Sequence, residues 1–397
     1  MSEKNRRRFI FSNYYSFFVM GMVLLAIGAI LPYLMAEYNL DYRQGGLVLG
    51  LLSAGNLLGY IAGSFSDRLG RKRMVLFSSI CFVFGYSGVL LTQASLWLNV
   101  SVFVVGMGFG ILNSVAHTII NDSGNADGKT MNLLHMLFAV GAFATPFLVG
   151  MTVRFGINWR YAVAFVILAS AVLFLTLALM PIQAASEHAK GNRKGWAGIL
   201  SVLSRPRIFL FIAILFFYVG AENGINGWVV TYLLNAGIMN ETAAQSALSF
   251  FWLAIIGGRF FWAFMSRHLS HEKILFAGGS TGLLFFVLFL LLKTPVVIFL
   301  CMIGMGLFLS SAFPNTMANA TYLTKGSVAG NSIILAGASI GGTAIPYLNG
   351  LVAQSRGIEA GMTLILLSVA VFTGLTGWNC IIGEKNRKAK TLPQGSG

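Results

Sequence analysis

Gly63-Ser64-Phe65-Ser66-Asp67-Arg68-Leu69-Gly70-Arg71-Lys72-Arg73 separates two long apolar runs, and its reading decides the fold. A glycine at 63 allows a helix to approach a neighbour closely, and a glycine at 70 suits a tight turn. Asp67 can pair with a basic partner near a neighbouring helix end. Taken alone, the stretch reads either as a gate on one side of a membrane carrier or as an ordinary basic loop that stops a helix.

Working outward, the flanking runs are two of twelve. They are read at Phe9 to Ala36, Gly45 to Ser66, Met74 to Gln93, Leu96 to Ile120, Met131 to Val153, Tyr161 to Met180, Ile208 to Leu234, Ala243 to Ser266, Ile274 to Leu292, Val296 to Ala320, Asn331 to Ala353 and Met362 to Ile382. Each is near the ~20 residues that cross a bilayer as a helix, and none shows the two-residue alternation of a barrel strand. With 56% hydrophobic and 10% charged residues and a mean hydropathy of +0.77, a water-soluble domain is excluded.

A net charge of +15 could point to nucleic acid, but its distribution is that of a membrane topology. When alternate loops are assigned to opposite sides, Arg43, Arg154, Arg160, Lys293 and Arg356 fall on one side and Arg259 within a span. Every other Lys and Arg falls on the side of Arg68 to Arg73. The positive-inside rule then places both termini in the cytoplasm of a bacterial inner membrane, with anionic headgroups as the only partner the basic excess requires. Cys81, Cys301 and Cys380 lie in separate apolar segments without metal-ligand spacing and read as packing residues. The basic amino terminus lacks a small-residue cleavage site, so the first helix is expected to be retained.

The chain also resembles itself at an offset of about 200 residues. Asp67 to Phe77 lies against Ser266 to Phe276, Gly106-Met107-Gly108 against Gly304-Met305-Gly306, and Val140 to Pro146 with Gly150 against Ile340 to Pro346 with Gly350. The expected organisation is an N-terminal six-helix bundle over 1–183, a cytoplasmic linker over 184–207, a C-terminal six-helix bundle over 208–384 and a cytoplasmic tail over 385–397.

Ionisable groups inside a membrane are costly and tend to face a cavity or a partner. Glu222 is the one acid placed deep in a span, within Tyr218 to Tyr232, where three glycines are expected to interrupt the seventh helix. Asn223, Asn226 and Trp228 add hydrogen-bonding and stacking groups suited to a polyol or a ring. The competing reading makes Glu222 a structural partner of Arg259. Asn113 with His117, and Asn132 with His135, share helix faces on the fourth and fifth spans, and Asn315 with Asn319 does so on the tenth. They are candidates for a polar cavity wall, against the plainer reading of hydrogen-bonded packing residues. No phosphate loop, metal cluster or nucleophile elbow is apparent, so neither an ATP-driven pump nor a hydrolase is indicated and no cofactor is expected.

The stretch from Gly63 to Arg73 closely resembles the signature of the major facilitator superfamily, Gly-x-x-x-Asp-Arg-x-Gly-Arg-Lys/Arg, which implies a gating role for Gly63, Asp67, Arg68, Gly70 and Arg71. Phe217 to Glu222, Ile256 to Phe260 and Asn132 to His135 look like the fucose permease branch. That resemblance implies a sugar:proton symporter fold with a central cavity between the halves. The branch's aspartate before the proline of the first helix and its glutamate in the fourth are here Gly28 and Asn113, and two of its glutamines are His135 and Glu222. The reading is an all-α integral membrane protein of twelve helices in two pseudo-symmetric bundles. It is expected to act as a monomeric secondary transporter working by alternating access on a sugar or similar small polar solute, a proton being one option for coupling. The alternatives are a drug or amphiphile efflux antiporter and a non-transporting receptor or scaffold on the same fold.

Overall fold

The computed structural model describes residues 3–92, 94–122, 128–180, 204–324 and 328–391, without the side chains of 3–7, 121–122, 128–129, 131–132, 321–324, 328–332 and 386–391. Fourteen helices make up the described fold. They are α1 (Glu3–Glu37), α2 (Tyr42–Gly63), α3 (Ser66–Leu69), α4 (Arg71–Leu91), α5 (Ser95–Asp122), α6 (Gly128–Arg154), α7 (Arg160–Leu179), α8 (Arg207–Asn235), α9 (Glu241–Met265), α10 (His271–Leu291), α11 (Pro295–Leu309), α12 (Ala312–Thr324), α13 (Val328–Arg356) and α14 (Ile358–Thr391). Their termini follow local chemistry. At the start of α2, Gln44 N donates to Asp41 Oδ1 at 2.7 Å and Asp41 N donates to Gln44 Oε1 at 3.0 Å, a reciprocal cap. Asn240 Oδ1 accepts from Ala243 N at 2.9 Å to begin α9, and Pro295 opens α11.

Among the described residues, eleven segments, with α11 and α12 counted as one, are long and apolar enough to cross a bilayer. The twelfth, α13, spans 29 residues but is diluted by Gly, Ser, Thr and Asn. It packs on α2, α8 and α14 and so needs less apolar surface than a helix facing lipid. Large side chains such as Phe84, Leu91, Leu168 and Leu175 stand exposed on the outside, where hydrocarbon is the matching solvent.

The helices pack in two groups. Among the first six spans α1 contacts α6 and α7, α2 contacts α5, and α4 contacts α5 and α7. Among the last six α8 contacts α13 and α14, α9 contacts α11, and α10 contacts α11 and α14. The repeat recurs as contacts. A Cβ added at Gly141 of α6 would strike the Phe18 carbonyl of α1, and one at Gly21 would lie 2.7 Å from Ala142 N. In the second group Gly341 of α13 meets the Phe216 carbonyl of α8 in the same way, and a Cβ at Gly220 would lie 2.9 Å from Gly341 O. Small residues at equivalent positions therefore allow backbone-to-backbone crossing in both groups.

Three expectations change. The seventh span is not interrupted, because α8 runs unbroken through Gly220, Gly224 and Gly227, whose missing side chains leave room for Ile345, Ile365 and Leu49 of neighbouring helices. The tenth span, expected as one helix, breaks between α11 and α12 at Ser310 and Ser311. Pro314 accounts for that break: it has no N–H to give Ser310 O, and its ring crowds that carbonyl. The two Ser hydroxyls turn back onto Leu307 O and Phe308 O at 2.7 and 3.2 Å. Third, the crossing of α5 on α2 puts Gly106 against Leu52 O, and that of α11 on α9 puts Gly306 against Phe251 O. Gly106 thus corresponds to Gly306 and not to Gly304, a shift that two glycines spaced by one residue could hide.

Candidate functional site

The two groups meet through α2 with α13, α6 with α9 and α1 with α8. Among the described residues, the hydrogen bonds that join them lie at mid-depth or toward the end away from the Gly63–Arg73 loop. Tyr33 Oη donates to Glu241 Oε2 at 3.0 Å, Gln245 Nε2 to Ala29 O at 2.6 Å, Tyr42 N to Gln354 Oε1 at 3.0 Å and Asn235 Nδ2 to Tyr42 Oη at 3.0 Å. At the same end a Cβ on Gly46 would lie 3.0 Å from Gly350 Cα, so the backbones of α2 and α13 touch. This end of the seam is closed by contacts that give up nothing covalent on parting.

Below the closure, polar groups from both sides converge. Asn223 on α8 donates through Nδ2 to Ser53 Oγ of α2 and to Gly342 O of α13, both at 3.4 Å. Asn226 accepts from Trp252 Nε1 at 3.0 Å, while its own Nδ2 is buried without a partner. Together with Ser53, Gly28 and Pro346, these two asparagines line a small cavity with about 30 Å³ for water centres. Gly28 sits directly on the Asn226 carbonyl, so no carboxylate side chain has room at that position in this conformation. Trp228 is fully buried higher up, donating through Nε1 to Pro346 O at 3.0 Å. It braces α8 on α13 and does not face the open part of the seam.

Nearer the motif end, His117 of α5 and His135 of α6 stand with ring centroids 5.7 Å apart, and Phe17 of α1 packs edge-on against both at 5.4 and 5.8 Å. Arg259 of α9 acts electrostatically on His135 from the other group, and on Glu222 and Tyr218 of its own. Glu222 Oε1 accepts from Tyr218 Oη at 2.8 Å, one turn back on α8. The ion pairs among the described residues are Asp67–Arg71, Glu37–Arg160, Glu384–Lys273 and Glu359–Lys293, so Glu222 and Arg259 do not form a direct pair. Glu222 instead lines a narrow cavity inside the second group, with Tyr218, Phe251, Ile255, Leu309 and Phe372.

The remaining candidates lie apart from this cluster. Asn113 donates through Nδ2 to Tyr60 Oη, joining α5 to α2 within the first group. Asn315 donates through Nδ2 to Ser311 O at 2.9 Å, and its Oδ1 lies 2.7 Å from His271 Nδ1, so it ties α12 to α10 beside the helix break. Asn319 Nδ2 is buried without a partner. The Asn132 side chain lies outside the described residues.

At the motif, Gly70 takes φ +93°, and Arg71 donates through Nε to Asp67 Oδ1 at 2.9 Å with only 6% of its side chain exposed. A Cβ on Gly63 would lie 2.7 Å from Ser114 Cβ of α5. Arg68 is exposed. Tyr218 and Phe17 were not singled out from sequence. The i,i+4 spacing of Tyr218 and Glu222 was the available sign for the former, whereas Phe17 carries no local signal.

A bundle of twelve membrane helices in two repeat-related groups, closed along one end of the seam above a polar cluster, defines the class of secondary membrane transporters. Residues 14–346 match the sequence profile of the Major Facilitator Superfamily, and the chain belongs to that family. It is 27% identical to Bypass of stop codon protein 6 of Saccharomyces cerevisiae over 90% of this chain and 79% of that protein. It is 23% identical to the glucose/mannose transporter GlcP of Bacillus subtilis over 95% and 98%. Its fold is similar to the nucleoside transporter NupG, with a TM-score of 0.73 at 14% identity over 95% and 98%. It is likewise similar to an inward-facing bacterial homologue of Spinster, with a TM-score of 0.76 at 14% identity over 97% and 98%. The protein is a secondary transporter and not an enzyme.

Proposed function

We propose that this chain carries a sugar or similar small polar solute across a bacterial inner membrane as a monomer, by rocking two bundles joined through the 184–207 linker. The single observation that carries this reading is that the seam between the groups is polar beneath its closed end, with Asn223 and Asn226 beside Ser53 of the other group and, nearer the motif, the His117–His135 pair under the influence of Arg259. The unpartnered amide N–H groups of Asn226 suit a hydroxyl-rich solute. The likeness to a glucose/mannose transporter and to a D-xylose-proton symporter supports the same class of solute, as does the resemblance to the fucose permease branch. With the basic loops in the cytoplasm, the closed end faces outward and the state is inward-facing. Glu222 is the candidate coupling group. It is the one span-embedded carboxylate and is held by a same-helix hydroxyl, without a direct guanidinium partner.

The test is uptake by proteoliposomes containing the purified chain against a panel of hexoses, pentoses and nucleosides, with and without an imposed pH gradient. Saturable exchange of a sugar supports the reading, and pH-driven accumulation supports coupling. Counterflow of lipophilic cations with no sugar flux contradicts it.

A further inference from the structure

Resting on the transporter reading, the geometry points to an anionic solute: Arg259, with the His117–His135 pair across the seam, forms the receiving site for a carboxylate on the transported molecule. An arginine inside a membrane is costly and is kept for a partner or a function. The internal partner would be Glu222, but its carboxylate is turned to Tyr218 and into a cavity with about 10 Å³ for water centres, the room of one water molecule.

Arg259 makes no ion pair and donates no hydrogen bond among the described residues, and its Nε is buried without a partner. A guanidinium has five donors, no acceptor and a planar fork that matches a carboxylate through two parallel hydrogen bonds.

Glu222 lends Arg259 electrostatic support but no hydrogen bond, and the groups facing it across the seam supply no carboxylate. His135 and His117 come from the first group and are held in place edge-on by Phe17. A neutral imidazole offers one acceptor and one N–H, so the pair can donate to an anion's second oxygen but cannot neutralise a guanidinium. The two positions where the fucose permease resemblance would put first-group carboxylates hold Gly28 and Asn113; the first is packed on backbone and the second bonds Tyr60. Among the described residues, the seam therefore holds Arg259 without a direct partner and no free carboxylate opposite it. A small polyhydroxylated monocarboxylate, a uronate or an aldonate, completes the arrangement: its carboxylate meets Arg259 and its hydroxyls reach the amides of Asn223 and Asn226.

The experiment uses the full chain in nanodiscs and proteoliposomes, with D-glucuronate, D-gluconate and D-glucose as matched probes for binding and counterflow. Expected is at least tenfold tighter binding of an acid than of glucose, abolished in Arg259→Gln and weakened in Arg259→Lys, where a point charge replaces the fork. Glucose bound and exchanged as well as either acid, with the ratio unmoved by Arg259→Gln, overturns the anionic assignment and leaves the transporter reading intact. Binding and exchange of neither class overturns both. If Arg259→Gln fails to fold by melting temperature, the wild-type acid-to-glucose ratio and Arg259→Lys decide, and a ratio near one in wild type overturns the inference.

Discussion

Gly350→Val places a branched side chain where the closed end of the seam has no room. A Cβ at Gly350 would lie 2.8 Å from Gly46 Cα, and its other near neighbours are also main-chain atoms of α2, which cannot swing away as a side chain could. Overpacking of this kind costs about 1–3 kcal/mol in the closed state. The open state escapes that cost, because the two backbones have parted. The closed-to-open ratio should therefore fall by roughly 5- to 150-fold. The hydrogen bonds from Tyr33, Tyr42, Asn235 and Gln245 oppose parting, each contributing about 0.5–1.5 kcal/mol net. Those bonds hold the parent closed as well, so where they survive the substitution they cancel from the change in the ratio.

The assay is a single cysteine at Ser53, which is 8% exposed beneath the closure, in a background with Cys81, Cys301 and Cys380 replaced by serine. An impermeant thiol reagent is added from the side of Gly350. Labelling should quicken by the same factor as the shift in the ratio, and transport should fall because closure at that end is hindered. A labelling rate equal to that of the parent, in a protein that melts normally, would refute the reasoning.

Asp67→Asn removes the charge that Arg71 grips at 2.9 Å, so flux should drop severalfold while melting temperature stays within a few degrees. Normal flux from a well-expressed variant counts against a gating role. Glu222→Gln keeps the Tyr218 hydrogen bond but removes the charge, so pH-driven accumulation should vanish while solute exchange survives. Unchanged accumulation and pH dependence would remove Glu222 from coupling. Gly141→Val drives a side chain into the Phe18 carbonyl at the α1–α6 crossing, so it should lower melting temperature and yield far more than Gly257→Val, where nothing lies within 4 Å. Equal yields and melting temperatures from the two variants would show that the crossing is not needed.

Much of the fold was legible because a bilayer asks so little of the sequence. Long apolar runs, charge-biased loops and the Gly63–Arg73 motif each answer to one rule of membrane physics. What eluded local reading was the meaning of glycine in a span. Gly220, Gly224 and Gly227 resemble a helix break in the sequence, yet in the structure they are sites of close packing along an unbroken α8. The break that does occur follows from Pro314 acting one turn back, at Ser310, inside a run whose hydropathy stays high. Within the site, the charge on Glu222 and the face-sharing of His117 with Asn113 are local and could be read. The pairing of His117 with His135, and the separation of Arg259 from Glu222, depend on how four helices from two groups rotate, which no window of sequence encodes. The Asn315–His271 contact is of the same kind, since the residues lie on different helices and are brought together beside the break.

Solute crosses only when the closed end of the seam opens, and a reversible tether across that end tests this requirement. Tyr42 N donates to Gln354 Oε1 at 3.0 Å across that end, so cysteines at 42 and 354 come within reach of a short bifunctional thiol reagent. With sugar counterflow as the readout, a reagent cleavable by reductant should stop flux on cross-linking and restore it on cleavage, while each single cysteine stays active throughout. Full counterflow with the cross-link in place would contradict the account.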